Sequence, residues 1–279
     1  PNGQARTAAL ALAAATDAVP AGIVPYVSAG SLLIIGEQAA ALAAAAQCRQ
    51  LQHINCTVLV QESGAAGISR QDQDGMAVLT GAITRLAGYL GEFQLSLAGA
   101  DSDAILNELT QGRQVFDLVL DLTSPAFISS ELPPPGYFSP GDDADALQLA
   151  LDEMPSLVGE FEKPQFFHYN PAICAHGRSG MTACTRCLDA CPTDAIASLG
   201  NIIEVDPGLC QGAGSCATAC PTGAISYGYP RLRDSLDRLR TLLQAYRDHG
   251  GSNPVLLFHD AEAGRDVVSD VVAGLPENI

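Results

Sequence analysis

Tryptophan is absent from this 279-residue chain, lysine occurs once, at Lys163, and aromatic residues make up only 5% of it. Cationic side chains are scarce as well, with fourteen Lys and Arg against thirty-one Asp and Glu, a formal net charge of −17. Such a balance repels nucleic acid and anionic membrane surfaces, steers in a basic protein partner, and also serves plain solubility. No stretch reaches the roughly eighteen apolar residues that a membrane-spanning helix needs, so membrane insertion is not expected. Residues 8–15 carry alanines and leucine but no basic leader beyond Arg6, and read as an Ala-rich helix instead of a signal core. Also missing are a Ser-His-Asp set, a paired-carboxylate site and a phosphate loop, so no stand-alone enzyme is expected. The chain starts at Pro1 and ends at Ile279 just past an apolar helix, as an excised fragment would.

What is present is apolar content of 47%, ordinary for a folded core, and nine cysteines, seven of them between Cys174 and Cys220. These seven lie in a repeat: Cys187, Cys191, Pro192 and Ile196 recur as Cys216, Cys220, Pro221 and Ile225, each 29 positions on. A repeated Cys-x-x-x-Cys-Pro resembles the two-cluster bacterial ferredoxins, where each half supplies Cys-x-x-Cys-x-x-Cys-x-x-x-Cys-Pro and its last cysteine ligates the other half's cluster. Neither half is regular. In the second, Cys210, Cys216 and Cys220 hold the first, third and fourth places and Ala213 stands in the second. In the first, Cys184, Cys187 and Cys191 hold the last three, and Met181 stands 29 positions before Cys210. The missing first cysteine is Cys174, since Tyr169 to Cys174 matches Val205 to Cys210 in kind, with a seven-residue insertion near His176 to Met181 enlarging the loop.

On the ferredoxin pattern, Cys174, Cys184, Cys187 and Cys220 form a complete thiolate set for a 4Fe-4S cluster. Cys191, Cys210 and Cys216 form a set that is one short, because Ala213 cannot coordinate. That site would take a 3Fe-4S cluster, a labile 4Fe-4S cluster with an oxygen ligand on its fourth iron, or nothing. Gly212 and Gly214 should make the loop around Ala213 tight. The spacing also suits structural zinc, which needs neither a proline after the last ligand nor a duplicated copy. Seven closely spaced cysteines are an odd number for a disulfide framework. His176 could ligate or brace the first cluster, and Arg178 and Arg186 could raise its potential or simply be solvated. Cys48 and Cys56 read as small buried apolar residues.

In order, residues 31–61 predict a strand, an Ala-rich helix and a second strand, a βαβ unit of Rossmann kind. Its turn, Gly36-Glu37-Gln38-Ala39, lacks the glycines and offers a carboxylate where pyrophosphate would sit, which argues against nucleotide binding. Residues 61–75 read as a polar loop, 76–97 as a β-hairpin, 101–111 as a helix, 115–122 as a buried strand and 143–152 as a helix. The Pro133-Pro134-Pro135 run should be a rigid loop packed on the cysteine module. After Pro230 a helix is expected to about His249, then a buried strand at 253–258 and a helix to about Ala273, opening a further α/β segment. His259, Asp260 and Glu262 are too few to argue for a metal site. The expected organisation is therefore an α/β region at 1–160, a dicluster module at 161–229 and an incomplete α/β segment at 230–279.

Gly88 to Leu97 resembles the segment preceding the ferredoxin module in heterodisulfide reductase A subunits. Gly159 to Pro192 resembles a family of bacterial 4Fe-4S dicluster-binding, polyferredoxin-like proteins, and the likeness extends over most of residues 31–279. It implies an iron-sulfur electron-transfer subunit of an oxidoreductase, cytoplasmic, with protein redox partners of a formate dehydrogenase-type or hydrogenase-type complex. A degenerate ferredoxin acting as scaffold or maturation factor is the alternative, favoured by Ala213 and the enlarged first loop.

Overall fold

The computed structural model describes residues 2–15, 22–177, 184–271 and 278. It falls into two compact bodies, one of residues 22–226 and one of residues 1–21 together with 227–279. Helix α1 (Asn2–Ala14) belongs to the smaller body.

The larger body opens with β1 (Ile23–Ser28) and β2 (Ser31–Gly36), then helix α2 (Gln38–Cys48) and β3 (Asn55–Gln61). Leu32 to Ile35 are wholly buried, as expected of an interior strand covered on both faces. β2 and β3 run parallel with α2 as their crossover, and Ala41, Ala44 and Ala45 on α2 join the core cluster that also holds Leu32 and Ile34. The loop expected at 61–75 instead contains β4 (Ser69–Gln73), which returns antiparallel on β5 (Met76–Gly81). Asp74 and Gly75 link them with φ of 54 and 77°, the pair of positive angles that lets an Asp-Gly dipeptide close a two-residue hairpin.

The hairpin expected over 76–97 is corrected as well. β5 lies parallel to β3, and only β6 (Ile83–Ala87) and β7 (Phe93–Leu97) pair as a hairpin. Alternation of apolar residues continues across Gly81-Ala82 while the chain changes sheets, so periodicity alone does not detect the break. Helix α3 (Ser102–Leu109) follows. The single strand expected at 115–122 divides into β8 (Val115–Phe116), paired with β7, and β9 (Leu118–Asp121), parallel to β2. Between them Asp117 is wholly buried, accepting the Ala29 and Ser31 N–H groups at 2.9 Å and the Arg113 guanidinium at 2.8 Å. A carboxylate so fully partnered is tolerated in the core and fastens the two sheets at their branch point.

With β10 (Tyr137–Phe138) the main sheet has the order β10-β9-β2-β3-β5-β4, in which only β4 is antiparallel to its neighbour. Helix α4 (Ala144–Glu153) is capped by Asp143, whose carboxylate accepts the Asp145 and Ala146 N–H groups. β11 (Gly159–Pro164) then pairs antiparallel with β1 and leads into the cysteine module.

That module consists of β12 (Phe167–Tyr169), a 3-10 turn at Pro171–Ile173, α5 (Arg186–Asp189), β13 (Ile196–Ser198), β14 (Ile203–Val205), α6 (Ser215–Ala219) and β15 (Ile225–Tyr227). Each half is strand, cysteine loop, short helix and return strand. Pairing joins the halves: β12 lies beside β15, and β13 beside β14. Ile196, Ile203 and Ile225 form the core between them with Cys187.

In the smaller body α1 packs on α7 (Leu232–Asp248) through Ala5, Ala9, Ala245 and Tyr246. The buried strand expected at 253–258 does not form: among the described residues the segment pairs with no strand, its Val255 N–H donates to the Asn278 carbonyl, and Phe258 is 75% exposed. Apolar content gave it the capacity for a strand, but an unpaired strand leaves its N–H and C=O groups without a ladder. Helix α8 (Ala263–Val271) follows, and its expected extension to Ala273 lies outside the described residues. Among the described residues no helix is long and apolar enough to cross a membrane.

Candidate iron-sulfur sites

Cys174 follows the 3-10 turn at Pro171–Ile173, which Asn170 caps by accepting the Ala172 N–H at 3.1 Å. Cys184 and Cys187 flank the start of α5, and Cys220 ends α6 against Pro221. These four thiols line one pocket, walled by Tyr169, His176, Ile203 and Ile225. The side chains expected to form the complete set are thus brought together from both halves of the repeat. Among the described residues, no three His, Cys, Asp or Glu side chains are gathered tightly enough for a single metal ion.

Polar groups at the pocket wall suit a sulfur-rich occupant. Burial alone would raise the Cys220 thiol pKa, but the N–H groups of Ile225, Thr222 and Ala224 and the Thr222 hydroxyl hold it below the usual thiol range. Cys187 is raised, first by burial and then by Cys220 and Cys174, while its own N–H and that of Leu188 act in the opposite sense. The Tyr169 hydroxyl is buried without a hydrogen bond of good geometry, and its pKa is raised by burial and then by a loose hydrogen-bonding contact with the Cys174 sulfur, which the Ile203 backbone partly offsets. An unsatisfied buried hydroxyl at the wall is a donor available to a bound sulfide or thiolate.

His176 is buried, with Nδ1 donating to the Cys184 carbonyl at 2.6 Å and Nε2 bonded to the Ser198 hydroxyl at 2.8 Å. Both ring nitrogens are engaged, so His176 braces the loop and is not placed as an iron ligand. Arg186 lines the pocket. Arg178 and Met181 lie outside the described residues.

Cys191, Cys210 and Cys216 make the second set. The Cys216 thiol is pushed up to about 11 by burial, with Cys210 and then Cys191 adding to the shift. Cys210 is raised first by burial, with Cys191 also adding. Cys191 thus acts on both Cys210 and Cys216, and Cys187 acts more weakly on Cys216. The halves also match in detail: Thr193 Oγ1 stands 3.4 Å from Cys191 Sγ, and Thr222 Oγ1 stands 3.7 Å from Cys220 Sγ.

Around Ala213 the loop is tight, as expected, with φ of 79 and 78° at Gly212 and Gly214. A Cβ at Gly212 would also come within 2.8 Å of the Phe166 ring. The proline run packs on this module: the Leu132 N–H donates to the Pro192 carbonyl and Gln211 Nε2 to the Pro133 carbonyl, both at 2.8 Å. Lys163 on β11 donates from Nζ to the carbonyls of Gly208, at 2.9 Å, and Cys210, at 2.7 Å. Sequence reasoning noted this lysine without giving it a role, and did not single out Tyr169; the rarity of lysine was the available signal.

Residues 182–224 match the family model described as 4Fe-4S dicluster domain. The chain carries an iron-sulfur domain. Hydrogenase-4 component A of Escherichia coli (strain K12) is 38% identical over 56 residues, 20% of this chain and 25% of that protein. An uncharacterized ferredoxin of Methanocaldococcus jannaschii is 37% identical over 57 residues, 20% of this chain and 31% of that one. The chain therefore spans between a quarter and a third of the length of these relatives. Together the domain and the relatives speak for iron-sulfur electron transfer.

The other sulfurs and carboxylates are placed differently. Cys48 is wholly buried, as expected, but Cys56 is only half-buried and borders a polar pocket with Arg70 and Arg113. The Cys48 thiol contacts Cys56, which is the first cause of its strongly raised pKa. Asp260 accepts the N–H groups of Glu262 and Gly264 and thereby caps the turn into α8.

Proposed function

We propose that this chain is an electron-transfer protein or subunit that passes single electrons between protein partners of a larger oxidoreductase system. Cys174, Cys184, Cys187 and Cys220 would hold a 4Fe-4S cluster, and Cys191, Cys210 and Cys216 a 3Fe-4S or labile 4Fe-4S cluster. The carrying observation is the single pocket bordered by four thiols from both halves of the repeat, with main-chain N–H groups turned to Cys220 and an unsatisfied tyrosine hydroxyl at its wall. When bound, such a group supplies one-electron redox chemistry at a potential set by hydrogen bonds to sulfur, local charge and exposure. The residues of the chain fix the thiols in place, turn N–H and O–H donors towards them, and line the pocket with the apolar side chains of Ile203 and Ile225.

A hydrogenase-type complex is the partner class favoured by the name of the Escherichia coli relative. The acidic surface suits a basic docking face. The N-terminal βαβ unit serves in this reading as a Rossmann-like scaffold without a nucleotide, because Glu37 occupies the turn before α2. Nine free cysteines suit a reducing compartment such as the cytoplasm.

Anaerobic iron and sulfide analysis with EPR tests the reading. About seven irons per chain, with a signal in the oxidised state, are expected if the second set holds three irons. About four irons that take up an electron would confine electron transfer to the first set. Clusters that never accept an electron from a low-potential donor would sink the carrier reading in favour of a scaffold, the role that Ala213 makes the competing one.

A further inference from the structure

We propose that Lys163 is the positioning residue of the second thiol set, clamping the loop that carries Cys210 and supplying the positive charge that stabilises a reduced cluster there. This rests on the reading that Cys191, Cys210 and Cys216 hold a cluster, and extends it to a residue outside the matched segment 182–224.

The loop is held from one side. Lys163 Nζ reaches the Gly208 and Cys210 carbonyls, and the Tyr26 hydroxyl donates to the same Gly208 carbonyl at 2.6 Å. The ammonium stands 4.8 Å from the centre of the Tyr26 ring, close enough for a cation–π contact. From within the loop, Asp206 accepts the Gly208 N–H at 2.8 Å. Gly208 itself must be glycine, since a Cβ there would fall 2.1 Å from the Tyr89 ring. A set of three thiols ties its loop to iron by one bond fewer than a set of four, so these non-covalent restraints bear more of the load.

The charge is the second part. Lys163 is the chain's one lysine and only partly exposed; burial works against its charge, while Cys210 first and then Asp206 favour it. Partly desolvated cations are stabilised by an anionic neighbour, and Cys210 is the thiol whose carbonyl Nζ already holds. Thiolates and sulfide around iron would supply that neighbour. Each electron added makes the site more negative, so the cation favours the reduced form.

The test compares wild type, Lys163→Met and Lys163→Arg as full-length chains loaded anaerobically. The readouts are iron content, EPR-monitored potentials and amide exchange across residues 206–212 without iron. Met keeps the length and loses the charge; Arg keeps the charge. In Lys163→Met the reduced-to-oxidised ratio of the second set at fixed potential should fall about tenfold, 59 mV for one electron. The first-set potential should not move, and Arg should restore most of the loss. Exchange across 206–212 should rise about tenfold in Lys163→Met, the same factor in a local opening equilibrium. A second-set potential unchanged in Lys163→Met overturns the electrostatic role, and unchanged exchange overturns the clamp. A wild-type chain binding only about four irons, all at the first set, overturns the reading of the second set instead. The exchange measurement then still decides the clamp.

Discussion

The two cysteine sets share one repeat and are held by different means. The first is enclosed: four thiols, His176 bonded through both ring nitrogens, and the Tyr169 hydroxyl at the wall. The second has three thiols, a tight glycine-flanked loop at Ala213, and a lysine reaching in from the sheet region. One set is built from within its module and the other is supported from outside it. Duplication thus preserved the strand-loop-helix-strand scaffold while each site acquired its own restraints, and the comparison can be broken at either end.

The largest effect is expected from Cys220→Ala, which removes a thiolate from the complete set and should cost about four irons and the reduced-state EPR signal. Iron analysis with EPR checks it; full iron retention would show that Cys220 does not ligate. Next, Ala213→Cys should erase the difference between the sites. Iron content is expected to rise by about one per chain and any oxidised-state three-iron signal to disappear. Retention of that signal would mean that the loop cannot deliver a sulfur.

Tyr169→Phe removes one hydroxyl from the first site. If that hydroxyl donates to sulfur, the first-set potential should fall by up to about 59 mV, a tenfold change in the one-electron equilibrium, with the second set unmoved. Redox titration followed by EPR reads both in one sample. The smallest change is expected from Gly212→Ala. Placing a Cβ at φ 79° against Phe166 should destabilise the second loop by about 1 kcal/mol or more, visible as earlier iron loss from that set in chelator titrations. First-set iron should be released at the wild-type rate.

Much of the iron-sulfur module could be read from spacing alone. The 29-residue offset exposes both halves, and displacement of the first cysteine to Cys174 follows from the likeness of Tyr169–Cys174 to Val205–Cys210. Strand-helix-strand order at 31–61 was legible because β2 is a continuous apolar run between glycines. Partnership was not. Nothing local in Met76–Leu97 says that β5 joins one sheet and β6 another, and nothing in Val115–Leu122 says that Asp117 is a branch point. The apolar run at 253–258 misled for the same reason, because a strand is defined by its neighbour. The roles of Lys163 and Tyr26 were not legible because they meet Gly208 and Cys210 only after β11 has paired with β1.

The crossed pairing of β12 with β15 and β13 with β14 bears on biosynthesis. On a ribosome, the first cysteine loop emerges with β12 unpaired and without Cys220, some thirty residues before the rest of its proposed ligand set is translated. Iron offered at that stage meets an incomplete cage. A complete four-thiolate cage at the first site is therefore confined to a chain whose synthesis has passed the second Cys-Pro, and a nascent chain stalled between the repeats should hold there at most the labile kind of cluster that a three-thiol set allows.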